Sequence, residues 1–129
     1  MALRTKTQWW GVVLDAANAP ELAHFYARLL DWQVFNEDED GAAVAPSKDA
    51  GYYLACQTEE HYVRPVWPAV EGEPLMMMHL DIAVDDLDES VAHAVEAGAE
   101  LASYQPQADV RVMLDPAGHP FCLYLDVDD

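Results

Sequence analysis

The stretch His79-Leu-Asp-Ile-Ala-Val-Asp-Asp86 repeats, 68 residues further on, the pattern of Gly11-Val-Val-Leu-Asp-Ala-Ala-Asn18. Each reads as a strand of alternating or continuous apolar residues that ends on a helix N-cap residue. After Asn18 come Pro20 in the first turn and Glu21 in the capping-box position. After Asp86 comes Glu89 at the same spacing. Leu22, Phe25, Tyr26, Leu29 and Leu30 then form one apolar helix face, and Leu87, Val91, Ala94, Val95 and the terminal Gly98 form a second. A second pair of windows, Lys48-Asp-Ala-Gly-Tyr-Tyr-Leu-Ala55 and Asp115-Pro-Ala-Gly-His-Pro-Phe-Cys122, registers at an offset of 67. The near-equal offsets predict a duplicated β-α-β-β-β unit.

Working outward, strands are expected at 8–16, 32–36, 42–45 and 52–57 in the first unit. In the second they are expected at 76–84, 100–104, 110–114 and 121–126. Glu37 to Gly41 is an acidic turn, and Asp115-Pro-Ala-Gly118 is another. The stretch 58–74 carries Pro65, Pro68 and Pro74 and reads as a linker, with Tyr62 and Trp67 expected to pack on something. The fold class is α+β, one domain over 1–129: module one at about 7–58, linker at about 59–75, module two at about 76–126. The acidic tail from Asp126 is expected to fray.

The chain has 129 residues, 6 Lys+Arg and 24 Asp+Glu, a formal net charge of −18. Nucleic acid and anionic membrane surfaces need a basic patch and are excluded as main partners. The field favours metal ions and amine-bearing small molecules; the charge alternatively serves solubility alone. No segment is long enough to span a membrane or to form a signal-peptide core. Cys56 and Cys122 lie in apolar runs and not in a C-x-x-C pair, which fits reduced thiols and a cytoplasmic location. Nucleophile-elbow, phosphate-loop, dinucleotide and H-E-x-x-H motifs are absent from the sequence.

Val12-Val-Leu-Asp-Ala16, Leu22-Ala-His-Phe-Tyr-Ala-Arg-Leu-Leu30 before Trp32, His79-Leu-Asp-Ile-Ala-Val-Asp-Asp-Leu87 and Leu114-Asp-Pro-Ala-Gly-His-Pro-Phe-Cys122 together resemble the vicinal oxygen chelate superfamily. That group includes glyoxalase I, bleomycin-resistance proteins and extradiol dioxygenases, and the resemblance is greatest to small actinobacterial glyoxalase-like domains. It implies two modules curling a mixed sheet around a cleft, a homodimer, and in the metalloenzymes a divalent ion held by four side chains. Matched onto this chain, those four positions are Gly11, Ala55, His79 and Cys122. Only His79 is a good ligand there, and Cys122 suits a soft metal. The metal site is therefore expected to be degenerate. No cofactor is expected, and a divalent metal would need a rebuilt set that recruits Asp15, Gln57 or Asp81.

With His79 on the cleft face, strand alternation places Met77, Asp81 and Ala83 there too, with Trp9, Gly11, Val13, Asp15, Tyr53, Ala55, Gln57, Cys122 and Tyr124. The opposite set, which includes Trp10, Leu14, Leu54, Cys56, Phe121 and Leu123, is apolar and is expected under the helices. The ligand-binding candidates are Trp9, Asp15, Tyr53, Gln57, Met77, Cys122 and Tyr124, with Trp9, Tyr53 and Tyr124 as an aromatic wall. His79 admits three readings: a vestigial ligand, a general acid/base with Asp81 or Asp15, or a hydrogen-bonded histidine. Asp15 and Asp81 either face a cationic ligand or pair with Arg111 or Arg64. Met76 to Met78 read as strand packing, His24 and His93 as solvated, and His119 as part of its turn. The expected function is binding of a small, cationic or aromatic molecule. The alternatives are a lyase or isomerase using His79 with Asp81 or Asp15, a metalloenzyme with a rebuilt site, and a non-catalytic regulatory domain.

Overall fold

The computed structural model describes residue 3 and residues 6–126; of the tail expected to fray, Asp126 donates its N–H to the Val84 carbonyl at 3.3 Å, and residues 127–129 lie outside the described residues. The chain forms two compact units, Met1–Tyr62 and Val63–Asp129. Each holds a four-stranded mixed sheet and one helix.

The first unit runs β1 (Trp10–Ala16), α1 (Ala19–Leu30), β2 (Gln33–Asp38), β3 (Gly41–Ala45) and β4 (Tyr52–Thr58), with sheet order β1-β4-β3-β2. The β1–β4 pair is parallel and the others antiparallel. Asn18 caps α1 as expected: its side chain accepts the Glu21 N–H at 3.2 Å. The helix ends at Asp31, whose left-handed backbone returns its N–H to Ala27. Leu22, Phe25 and Tyr26 are buried, and the two rings meet edge-on at 4.8 Å. Each large apolar side chain so buried contributes about 1.5–3 kcal/mol of transfer free energy. Val44, Leu54 and Cys56 complete this core from the sheet.

The second unit runs β5 (Leu80–Val84), α2 (Leu87–Ala97), β6 (Glu100–Leu101), β7 (Val110–Leu114) and β8 (Pro120–Leu125), ordered β5-β8-β7-β6. Asp86 caps α2 by accepting the Glu89 N–H at 2.9 Å. Gly98 closes the helix at φ 128°, a backbone angle that side chains disfavour. Ala94, Met113, Phe121 and Leu123 form the core.

The duplication extends to the hydrogen-bond register. Val13 pairs with Ala55 across β1–β4, and its repeat equivalent Asp81 pairs with Cys122 across β5–β8. The expected face assignment holds along β5 and β8 and, apart from Tyr52, which is 42% exposed at the start of the strand, along β4.

Four expectations are corrected. β5 starts at Leu80 because Met77 adopts φ 57°, which breaks the extended chain, and Met78 donates back to the Met76 carbonyl. Met77 and Met78 are thus 90% and 73% exposed, not packed in a strand. β1 starts at Trp10, after Gln8 at φ 58°. Trp10 lies 66% exposed rather than under the helix, because α1 packs chiefly over β3 and β4 and leaves the start of the edge strand β1 uncovered. The strand expected at 100–104 stops at Leu101. Beyond it the Gln105 side chain takes over the pairing: Oε1 accepts the Val112 N–H at 2.8 Å, and Nε2 donates to the Ala102 and Val112 carbonyls at 2.8 and 2.9 Å.

Candidate functional site

In the first unit Trp9, at the entry to β1, and Tyr53 on β4 meet at a centroid distance of 6.4 Å. They line a cavity of about 500 Å³ with Phe35, Asn36, Ala43, Ala45, Ser47 and Lys48. Gly11 is the ladder partner of Tyr53, and a Cβ on it would collide with the tyrosine ring. The missing side chain is therefore what lets the ring lie across β1. The lining contains one cation, Lys48, and no carboxylate. Asp15 and Gln57, paired across the same ladder, bond to each other at 2.7 Å, amide to carboxylate, and are not part of this lining.

In the second unit His79, Asp81 and Cys122 converge. His79 Nε2 stands 3.0 Å from Asp81 Oδ1. Donor atoms of all three lie within 4.8 Å of one another, the group of this kind found among the described residues. Their proximity follows from alternation, which puts His79 and Asp81 on one face, and from the register that sets Cys122 beside Asp81. A cavity of about 320 Å³ opens over them, lined also by Gln107, Asp109, Val110, Tyr124 and Leu125. Burial, and then the Asp81 carboxylate beside it, pushes the Cys122 thiol above its ordinary value.

The sequence-predicted residues thus divide by unit. Trp9 and Tyr53 share one cavity; His79, Asp81, Cys122 and Tyr124 share another; Asp15 and Gln57 bond to each other; Met77 sits in the turn before β5 and lines neither cavity. Arg64 and Arg111 turn to other work. Arg64 lies against Gly118, reaching the Pro116 carbonyl at 3.5 Å and Glu100 at 4.0 Å. Arg111 donates to the carbonyls of Ala108 and Val110 at 2.9 Å each. His24 is exposed, as expected, and also faces Glu37 at 2.5 Å. His119 belongs to its turn, bonded to the buried Asp115 at 2.8 Å. Phe35, Asn36, Ser47, Lys48, Gln107 and Asp109 escaped the sequence reading. Phe35 shares a ladder row with Ala43 and Ala55, a register that only the strand pairing reveals.

The four-donor set implied by the resemblance does not fit this chain. Gly11 and Ala55 carry no donor atom, and the space beside Gly11 is filled by the Tyr53 ring. Any metal would need at least one donor beyond His79 and Cys122.

No helix among the described residues is long and apolar enough to cross a membrane. No curated protein matches the chain. The glyoxalase/bleomycin resistance protein/dioxygenase family enzyme from Burkholderia phytofirmans PsJN superposes with a TM-score of 0.66 at 15% identity, over 91% of this chain and 97% of that one. The fosfomycin resistance protein FosX from Mesorhizobium loti superposes with a TM-score of 0.64 at 12% identity, over 92% and 91%. The glyoxalase family protein from Enterococcus faecalis superposes with a TM-score of 0.60 at 20% identity, over 91% and 94%. At these identities the likeness is one of fold: two tandem modules of the vicinal oxygen chelate type. The family model for the glyoxalase-like domain matches residues 11–124, nearly the whole length, and the chain belongs to that family.

Proposed function

We propose that this protein binds a small planar aromatic molecule in the cavity of its first module, as a sequestering protein and not as a glyoxalase. The observation that carries this reading is the Trp9–Tyr53 pair over a cavity of about 500 Å³, a volume suited to one drug-sized ligand. Phe35, Ala43 and Ala45 supply the apolar floor, and Asn36, Ser47 and Lys48 supply polar tips that orient a ligand. Net charge alone favours a cationic ligand. The local lining, with Lys48 and no carboxylate, favours an aromatic compound with a neutral or anionic substituent. Two structural relatives carry drug-resistance names, which fit a small-molecule ligand; one of them is also named an enzyme. A homodimer and a reducing, cytoplasmic setting belong to the same reading. Exposed Trp10, Met77 and Met78 are side chains of the kind a second copy covers, and both cysteines are thiols.

The test is thermal denaturation against matched aromatic amines, aromatic carboxylates and neutral aromatics, with tryptophan fluorescence as the binding readout. The expected result is stabilisation by the neutral or anionic set, reduced at least tenfold in affinity by Trp9→Ala or Tyr53→Ala. Stabilisation by no aromatic class overturns the proposal.

The His79–Asp81 contact at 3.0 Å supports a second reading, a lyase or isomerase with His79 as acid/base held by Asp81. In that case His79→Ala lowers turnover by about 10²–10⁴-fold and leaves aromatic binding in the first module unchanged.

A further inference from the structure

The register shared by the two modules makes them comparable rung by rung. At three equivalent positions the first module carries Gly11, Val13 and Ala55, and the second carries His79, Asp81 and Cys122. One module has no donor atom on these rungs; the other has an imidazole, a carboxylate and a thiol, all on one sheet face and all opening on one cavity.

Zinc and cobalt(II) in tetrahedral sites hold nitrogen and oxygen donors at about 2.0–2.2 Å and sulfur at about 2.3 Å, which sets donor atoms about 3.3–3.8 Å apart. The three donors here lie within 4.8 Å of one another, with His79 Nε2 and Asp81 Oδ1 at 3.0 Å. Side-chain adjustments of about an ångström therefore reach a coordinating arrangement without any change of strand register. The donor types also agree. Thiolate with imidazole selects borderline and soft ions over magnesium or calcium, and a carboxylate completes a set common for zinc. The surroundings attract cations: Asp109 lines the same cavity, and no Lys or Arg does.

We propose that the second module binds one transition-metal ion of the zinc type through His79 Nε2, the Asp81 carboxylate and Cys122 Sγ, a site contained in one module that keeps two of the four superfamily positions, His79 and Cys122, and replaces the two empty ones of the first module with Asp81. Binding releases the Cys122 proton and replaces the His79–Asp81 contact with two bonds to the ion. Three protein donors leave a position for water or for one oxygen of a small molecule in the cavity. The proposal is independent of the aromatic site in the first module. It competes with the acid/base reading, because His79 Nε2 cannot serve both.

The experiment is titration of chelator-treated, reduced protein with Co(II), then displacement by Zn(II). The expected result is one Co(II) per chain, with a thiolate-to-cobalt charge-transfer band that Zn(II) abolishes. Cys122→Ser should remove the band. His79→Ala and Asp81→Asn should each weaken binding at least tenfold. Cys56→Ala should leave band and affinity unchanged, and circular dichroism should show every variant folded. Absence of stoichiometric binding, binding without the band, or a band that survives Cys122→Ser each overturns the proposal. A protein that binds aromatic compounds but not Co(II) fails this inference alone.

Discussion

Gly11 and Tyr53 are partners on the β1–β4 ladder, and the tyrosine ring occupies the space in which a side chain at position 11 would stand. One residue is small because the other is large, and together they turn a rung of a sheet into the wall of a cavity. Introducing Gly11→Val should therefore displace the ring. A loss of about 1–3 kcal/mol is expected from the overpacking, together with weaker aromatic binding. In the Gly11→Val/Tyr53→Ala double variant the collision is gone, so chemical denaturation should give a combined loss smaller than the sum of the two single losses. Additive losses would show that the two side chains do not compete for that space.

The turn after β7 depends on Asp115. Asp115 is 2% exposed, and its carboxylate accepts from the N–H groups of Ala117 and His119 at 2.9 and 3.0 Å and from His119 Nδ1 at 2.8 Å. Asp115→Ala removes the acceptor for all three, leaves their N–H donors unpaired in a part-buried turn, and should cost about 1–3 kcal/mol. Urea denaturation measures it. A loss below about 1 kcal/mol would mean that water reaches the turn readily.

The two helix caps offer a matched pair of measurements. Asn18→Ala and Asp86→Ala each delete an acceptor of a first-turn N–H, from Glu21 and Glu89 respectively. Each should destabilise by about 1 kcal/mol. Substitution by Gly should cost only a few tenths of a kcal/mol; an equal cost for Ala and Gly in denaturant melts would place the effect outside the cap.

The reactivity of Cys122 carries a definite pH dependence. Burial first, and the Asp81 carboxylate second, disfavour its thiolate and raise its pKa. Only the thiolate attacks iodoacetamide. In chelator-treated protein, alkylation of Cys122 at neutral pH should thus be slower than for an unstructured cysteine, and should climb at a pH above the usual thiol range. Asp81→Asn removes the neighbouring negative charge, lowers the pKa and should accelerate labelling at neutral pH. Peptide mass spectrometry separates Cys122 from Cys56, and an unchanged rate in Asp81→Asn would remove the carboxylate as a cause.

Much of this architecture is legible in the chain itself. The caps Asn18 and Asp86 announce the helices because short polar side chains before an apolar stripe have few other roles. The faces of β4, β5 and β8 follow from period-two alternation, which one face buried against a helix makes unambiguous. The turn at Met77 was not legible, because a left-handed methionine has no signature in residue type; glycine and asparagine advertise that conformation and methionine does not. Phe35, Asn36, Ser47 and Lys48 were hidden for another reason. Their place beside Tyr53 depends on which strands pair, and alternation within one strand is silent about its neighbours. The His79–Asp81–Cys122 cluster is intermediate: the face was predictable, while its closeness rests on the parallel register of β5 with β8.

The short β6 has a consequence for how the protein behaves among copies of itself. Strand edges carry rows of unspent donors and acceptors that recruit further chains. Past Leu101 the Gln105 amide spends both groups of Val112, so a passing strand finds that stretch of β7 already occupied by a side chain. The β2 edge of the other sheet is guarded differently, by a bulge between Phe35 and Asp38 and by the charges of Glu37 and Asp38. Strand addition is thus hindered at the β6 end of one sheet by a splint and at the β2 end of the other by repulsion, and replacing Gln105 would open the first of these two edges.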